Sequence, residues 1–426
     1  MQGCFPAGGP EVLPCPPDSF TVLSFRAYHM KTPIHDNTHK LPRGRGNDHV
    51  HYRTDLLKWR AAEGQFESWM LEGTALASDG SLVLDRSGSG VRRGRDPCPP
   101  GGYHGHNFYN GGRYLFGEAI SPAMPTPFPF TEAIASWNAL TPQGTWIEVL
   151  LRVEAGDLWT EWYSMGVWAS DTSTVERHSV GGQFDPDVHV DTDTLVVGSG
   201  DRPLTASAFQ LCLRLFTTHR ERTPVVRNAA VAISDTPTAP NVPMPGDPAL
   251  WDRALNVPAC SQMAYPDGGN VWCSPTALCM VLRYLRVIDS PCEPCIRSAV
   301  SGVYDWLYDG HGNWPFNTAY AHAVSGGQLE AYVTRLACMA EAERWIARGV
   351  PLIISYGWRE GQLTGAPIPR SSGHLAVLVG FDASGNPVVN DPAAPDDASV
   401  RRTYLRYELE PLWLRHSGGT VYLIRG

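Results

Sequence analysis

No apolar run in the 426 residues approaches the ~18 needed for a membrane-crossing helix, so a membrane span is excluded. Positive charge is in short supply as well. Lys plus Arg number 34 against 43 Asp plus Glu, a net charge of -9 with no long basic run, which excludes nucleic acid as a partner. The opening residues MQGCFPAGGPEVLPCPPDSF lack the basic start and apolar centre of a secretory signal. Localisation is therefore left between the cytoplasm and export by an unrecognised route. A second metal-ligand pair is missing too. Cys292 and Cys295 in SPCEPCIRS form a lone C-x-x-C with no partner pair nearby, so no metal is expected, and the motif reads as a turn carrying two thiols or a local disulfide. The ten cysteines are spaced irregularly along a long chain, which excludes a small disulfide scaffold.

Packed cores, in contrast, are well supplied. Hydrophobic residues make up 43 % of the chain, with 14 Trp, and the length calls for at least two domains. Residues 1–65, rich in Pro, Gly, His and Arg, read as a mobile extension in which Met30 is an alternative start. Residues 66–236 read as an all-β sandwich. GTWIEVLLRVEAG alternates, with Ile147, Val149, Leu151 and Val153 on one face, and LWTEWYSMGVWAS, DVHVDTDTLVVG and AFQLCLRLFTTH repeat the pattern. The proline-loaded residues 237–250 read as a linker. In 251–426 helical patterns come first, near 274–286, 295–307, 318–325 and 340–348. Strand patterns follow: PLIISYG, HLAVLVGFD, NPVVND, YLRYEL and GTVYLIRG, an α+β order.

The chemistry gathers in that second half. In NVWCSPTALCMVLRYL, Ser274 reads as a helix N-cap and Pro275 as the first helical residue, with Leu278, Val281, Leu282 and Leu285 on a buried face. Cys273 then lies at a helix N-terminus, where free amides and the macrodipole favour a thiolate. A thiol nucleophile needs a base, and the base needs an orienting group. His374, after Gly373 and opening an apolar strand, suits the first role. Asp391, at the end of the next strand, suits the second, and Asn390 points to the other face. Gln262 and the Cys273 N–H are candidates for an oxyanion hole. Trp272, Trp314 and Gln362 are candidate cleft residues, and the loop Gly357–Ser372 a candidate flap.

The motifs SQ, CSPTALCMVL, GNWPFNTAYA, SSGHLAVLVGF and VVNDPAA, in that order over residues 257–426, resemble the bacteriocin-processing-peptidase-like family of papain-like cysteine peptidases of bacteria. The resemblance implies a multidomain chain, with an N-terminal all-β sandwich followed by an α+β papain-like domain. It implies Cys273 as nucleophile, His374 as general base and acid, Asp391 as orienter and Gln262 in the oxyanion hole, with no cofactor and a peptide or protein substrate. Two departures stand out: Ser274 fills a position usually held by Gly, and the spacing from Gln262 to Cys273 is long.

Other readings of the same residues are a cell-wall amidase or acyltransferase and a non-catalytic glycan- or protein-binding protein. His189, Asp191 and Asp193 share a strand face that offers calcium ligands or a solvated surface. Trp159, Trp162, Tyr163 and Trp168 offer a sugar platform or sandwich core. Cys279 and Cys338 read as core residues of helices.

Overall fold

The computed structural model describes residues 52–85, 87, 90–156, 158–198, 202–235 and 245–426. Most of the expected extension, residues 1–51, the last residue of the expected sandwich, 236, and residues 237–244 of the expected linker lie outside the described residues.

Two antiparallel sheets build the N-terminal part, and no α-helix occurs among its described residues. The first sheet centres on Glu132–Leu140 and Val225–Asp235, the second on Arg113–Ile120, Thr145–Ala155 and Ala206–Thr217. Alternation sorts their side chains. Ile147, Val149, Leu151 and Val153 share one core with Leu211 and Leu213 of their own sheet and with Ala133, Ala135, Trp137 and Val231 of the other. The opposite phase is covered as well, because Trp146 packs with Tyr114, Phe116 and Phe216 in a separate cluster. Trp168 and Tyr163 belong to the shared core. Trp159 and Trp162 are half-buried and stack on the Arg152 guanidinium, at 4.9 and 4.7 Å.

The N-terminal boundary needs correction. Arg53–Arg60 pairs residue for residue with residues 228–235 of the strand Val225–Asp235, so the β region begins before residue 66. Its charged residues Arg53, Asp55, Lys58 and Arg60 sit at partly or fully exposed positions of a sheet edge, where charge discourages further pairing. That gave the strand the texture of the extension before it.

The C-terminal part combines helices α1 (Cys273–Tyr284), α2 (Cys292–Val303), α3 (Trp314–Val324), α4 (Met339–Ala347) and α5 (Arg406–Ser417) with an antiparallel sheet. Its strand order is Glu330–Arg335, Thr420–Arg425, Leu352–Trp358, Ser371–Phe381, Pro387–Asn390, Arg401–Thr403. Helices α1 to α3 pack with Val377, Val379 and Ile424, and α4 and α5 with Ala376, Leu378 and Leu423. The segment YLRYEL, expected as a strand, instead leads into α5. Leu409, Leu412 and Trp413 recur at helical spacing and are buried, and this stripe overrides the short alternation. The described end of the linker is docked, since the Asp247 N–H and the Trp251 indole both donate to Glu343, each at 2.8 Å.

The two parts share a core. Phe316 of α3 is fully buried with its ring 6.1 Å from Trp137 and 5.5 Å from Trp168, one from each N-terminal sheet. Gly166 makes room for it: a Cβ there would meet that ring at 3.0 Å. The free edge of the C-terminal sheet is closed by side chains of the first sheet. Asn138 donates to Ala331 O at 2.7 Å and accepts from Ala331 N at 3.1 Å, and Ser136 accepts from Val333 N at 3.4 Å. Arg335, itself buried, pairs with Glu132 at 2.5 Å across the boundary. A proline-rich linker by default joins domains through a modest, mobile interface. The structure replaces it with a continuous one.

Replacing Asn138 by Ala should leave both edge groups of Ala331 buried and unpaired and lower stability by about 2 kcal/mol. Urea unfolding followed by tryptophan fluorescence should give one shifted transition, whereas two separable transitions would contradict a shared core.

Candidate active site

Cys273 is the first residue of α1, and Trp272 precedes it as N-cap without a side-chain bond. The expected cap, Ser274, lies inside the first turn. Its hydroxyl donates to Asn317 Oδ1 and meets the Tyr422 hydroxyl, both at 2.9 Å, because buried partners outcompete the helix's own amides. Ser274 therefore turns inward, and the Gly-to-Ser departure leaves the thiol uncovered by this side chain. Cys273 itself keeps partial exposure.

His374 does not open its strand as expected but is the fourth residue of Ser371–Phe381, opposite Tyr356, and is 3 % exposed. Its Nε2 meets Asp391 Oδ1 at 2.8 Å. The Cys273 thiol is close enough to this imidazole for each group to shift the other's pKa. Asp391, fully buried, also accepts from Tyr404 Oη at 2.6 Å, Tyr356 Oη at 3.1 Å and the Ala393 N–H at 3.0 Å. Asn390 takes no part in this set. It donates to Val257 O and accepts from Arg401, each at 3.1 Å.

The electrostatics follow from that geometry. Burial pushes the Cys273 thiol up, but the imidazole, with the Leu375 and Ser274 amides, outweighs it and holds the pKa below the ordinary value. Burial disfavours the charged imidazole, yet Asp391 and the Cys273 sulfur raise His374 to about 10. Asp391, pushed up by burial, is pulled down to about 2 by His374, Tyr404 and the Ala393 amide. The arrangement can hold a thiolate–imidazolium pair and pass a proton between sulfur and nitrogen.

Gln262 is buried. Its N–H donates to Pro392 O at 2.9 Å, beside Asp391, and its side-chain Nε2 donates to Gly269 O. Trp272 packs against Tyr265 and His311, at 6.1 and 6.4 Å. Trp314 begins α3, with its N–H donating to Asp193 at 2.7 Å. Gln362 is exposed and closes its own turn by accepting from the Arg359 N–H at 2.8 Å, and the adjacent Thr364 is held by Glu408 of α5. The expected flap is thus anchored, and Gln362 is engaged by its own loop.

The C-x-x-C is neither a local disulfide nor a pair of thiols. Cys292 bonds to Cys260 and Cys295 to Cys279. Residues one turn apart on α2 face the same way and so reach two different segments. Cys338 precedes α4 and does not sit within it, and Cys212 is a buried free thiol. No cluster of metal-binding side chains occurs among the described residues. His189 pairs with Asp191 at 3.6 Å, while Asp193 turns inward to α3. Tyr356 and Tyr404 were missed from sequence, although strand pairing with His374 marks Tyr356.

Two family models match the chain. Residues 55–234 match the peptidase C39 N-terminal domain, and residues 254–421 match the Peptidase_C39-like family. Together the two matches place the chain in a C39-like peptidase family, with an N-terminal domain before the peptidase-like one. No curated protein matches it.

Burial, with nearby carboxylates, raises the pKa of the free thiols Cys212 and Cys338, whereas Cys273 is lowered. Iodoacetamide at about pH 6 should therefore label Cys273 first, read by peptide mass spectrometry. His374 is raised above its ordinary 6.5, so its stabilising contribution is complete below that value and lost as pH rises through about 10. Asp391 is depressed below its ordinary 3.8, so its contribution is complete above that value and lost as pH falls toward 2. Thermal melts should fall off at both ends, and His374→Ala should abolish labelling of Cys273 at pH 6.

Proposed function

We propose that this chain is a cysteine peptidase, with an N-terminal β-sandwich and a papain-like C-terminal domain. The observation that carries the reading is the buried imidazole of His374, bonded to the Asp391 carboxylate at 2.8 Å and close enough to the Cys273 thiol for each to shift the other's pKa. His374 holds the proton of Cys273, and the thiolate attacks the carbonyl carbon of a peptide bond. The tetrahedral oxyanion is met by the Cys273 N–H, free at the helix start, and by the second Nε2 hydrogen of Gln262. The imidazolium gives its proton to the leaving amine, and a thioester remains. Water, deprotonated by His374, attacks the thioester and releases the acid. Asp391 keeps its charge throughout and fixes the ring.

The substrate is a peptide or protein, and no cofactor enters any step. Trp272 with His311 lines the side of the cleft by the helix start. The N-terminal aromatics give little support to a sugar platform, since Trp168 and Tyr163 are core residues and Trp159 and Trp162 clasp Arg152. The Cys260–Cys292 and Cys279–Cys295 disulfides favour export to an oxidising compartment over the cytoplasm. No helix among the described residues is long and apolar enough to cross a membrane.

The test is hydrolysis of a degenerate peptide library by the purified chain, read by mass spectrometry. Cys273→Ala should abolish cleavage and the acyl-enzyme mass. Gln262→Ala should lower kcat by about 10²–10³ with KM little changed. A thiol that labels while no peptide is cleaved would move the chain to acyl transfer or to binding.

A further inference from the structure

The β region reaches the candidate site through a side chain whose role the sequence left open. Asp193 follows the tip of the hairpin Val188–Asp191 and Thr194–Val197, and it is 6 % exposed. One oxygen accepts from the Trp314 N–H at 2.7 Å, at the first residue of α3, and the other from the Thr194 hydroxyl at 3.1 Å. From there a buried polar chain runs to the nucleophile's neighbour. Asn313, the cap of α3, donates to Asp305 Oδ2 at 2.9 Å. Asp305 Oδ1 gathers the Leu307 and Tyr308 amides, each at 3.1 Å, and the Ser179 N–H of the β region at 3.0 Å. Asn317 donates to His311 O at 2.9 Å and Asn313 O at 2.8 Å, and it accepts from Ser274 Oγ at 2.9 Å. Ser274 follows Cys273 directly and supplies one of the amides that lower the thiol's pKa.

Resting on the cysteine peptidase reading, we propose that Asp193 is a positioning residue for Cys273, supplied by the N-terminal domain across the domain boundary. Its carboxylate fixes the start of α3. Through Asn313, Asp305 and Asn317 it thereby fixes the loop 304–313, which walls the cleft, and the first turn of α1. The groups facing it are Arg335, Asp305, Tyr308 and Tyr422. Burial, with Asp305, raises its pKa to about 7 against the pull of the Trp314 amide, Thr194 and Arg335. Ionisation therefore falls inside the working pH range of the thiol, where it gives a readout that plain packing lacks.

The experiment uses the full chain as wild type, Asp193→Asn, Asp193→Ala and Cys273→Ser. The rate constant for iodoacetamide alkylation of Cys273 is measured from about pH 4 to 9, with circular dichroism and melting as controls for folding. Wild type should show a step near pH 7 beyond the thiol's own titration. Asp193→Asn keeps an acceptor for Trp314, so its rate should stay within about threefold while the step disappears. Asp193→Ala should lower the rate about tenfold or more at every pH, as expected when a reacting group is displaced by a fraction of an ångström. Profiles of folded variants that superimpose on wild type would overturn the role of Asp193 and leave the peptidase reading standing. A wild type that labels at Cys273 no faster than Cys273→Ser labels elsewhere would overturn both. Should the Ala variant not fold, the Asn variant decides alone, and a retained step near pH 7 overturns the inference.

Discussion

A charged carboxylate with no exposure to solvent is the constraint around which the C-terminal half is arranged. Isolated in a low-dielectric interior, Asp391 would be protonated or would unfold its surroundings. It survives ionised because four donors converge on it: His374, Tyr404, Tyr356 and the Ala393 amide. Each comes from a different place. His374 and Tyr356 face one another on neighbouring strands, Ala393 follows in the next turn, and Tyr404 stands just before α5. The sheet register and the entry to α5 must therefore agree to within hydrogen-bonding tolerance. The raised imidazole is a consequence of this convergence, and the lowered thiol a consequence of the imidazole.

The same logic extends across the domain boundary. A sheet edge such as Glu330–Arg335 would, if left open, expose a row of backbone groups to chance pairing. Here Asn138 and Ser136 satisfy that edge with side chains, and Phe316 fills the end of the β core between Trp137 and Trp168. Proline content describes a connection and says nothing of the surfaces it brings together. The linker's composition therefore pointed to mobile domains, while the alternation of Glu132–Leu140, buried on both faces, carried the opposite information.

What the sequence made legible was local and periodic. The helix starting at Cys273, the apolar strand that carries His374 and the strand that ends just before Asp391 each carry their own pattern, and the structure brings the three side chains into one neighbourhood. What stayed hidden depended on partners far along the chain. Ser274 looked like a cap because its distant partners, Asn317 and Tyr422, leave no local mark. Tyr404 lay in a segment whose short alternation resembled a strand, while the stripe that makes α5 begins a few residues later. Arg53–Arg60 has an edge strand's charges, which read as extension until its partner strand is known. Asp193 was grouped with His189 and Asp191 by strand parity, but parity fails at the hairpin tip, where Thr192 adopts a positive φ of 57° and the chain reverses.

Cysteine pairing was the least legible feature, and it bears most directly on precision. The oxyanion reading needs Gln262 and Cys273 held in a fixed relation although eight residues of turn, YPDGGNVW, lie near them in sequence. Helix α2 acts as the clamp. Cys292 binds Cys260, two residues before Gln262, and Cys295 binds Cys279, in the second turn of the helix that Cys273 begins. The closed loops span 32 and 16 residues, and in the chain-entropy picture each cross-link is worth about 3–4 kcal/mol. Stability alone would be served by any pairing of these four sulfurs. The pairing found ties the segment bearing the amide and the helix bearing the thiol to one rigid third element. Their separation is thereby set by covalent bonds, where turn conformation alone would leave it loose. A single-turn C-x-x-C is the shortest motif that can do this from one helix, since only residues three or four apart share a face.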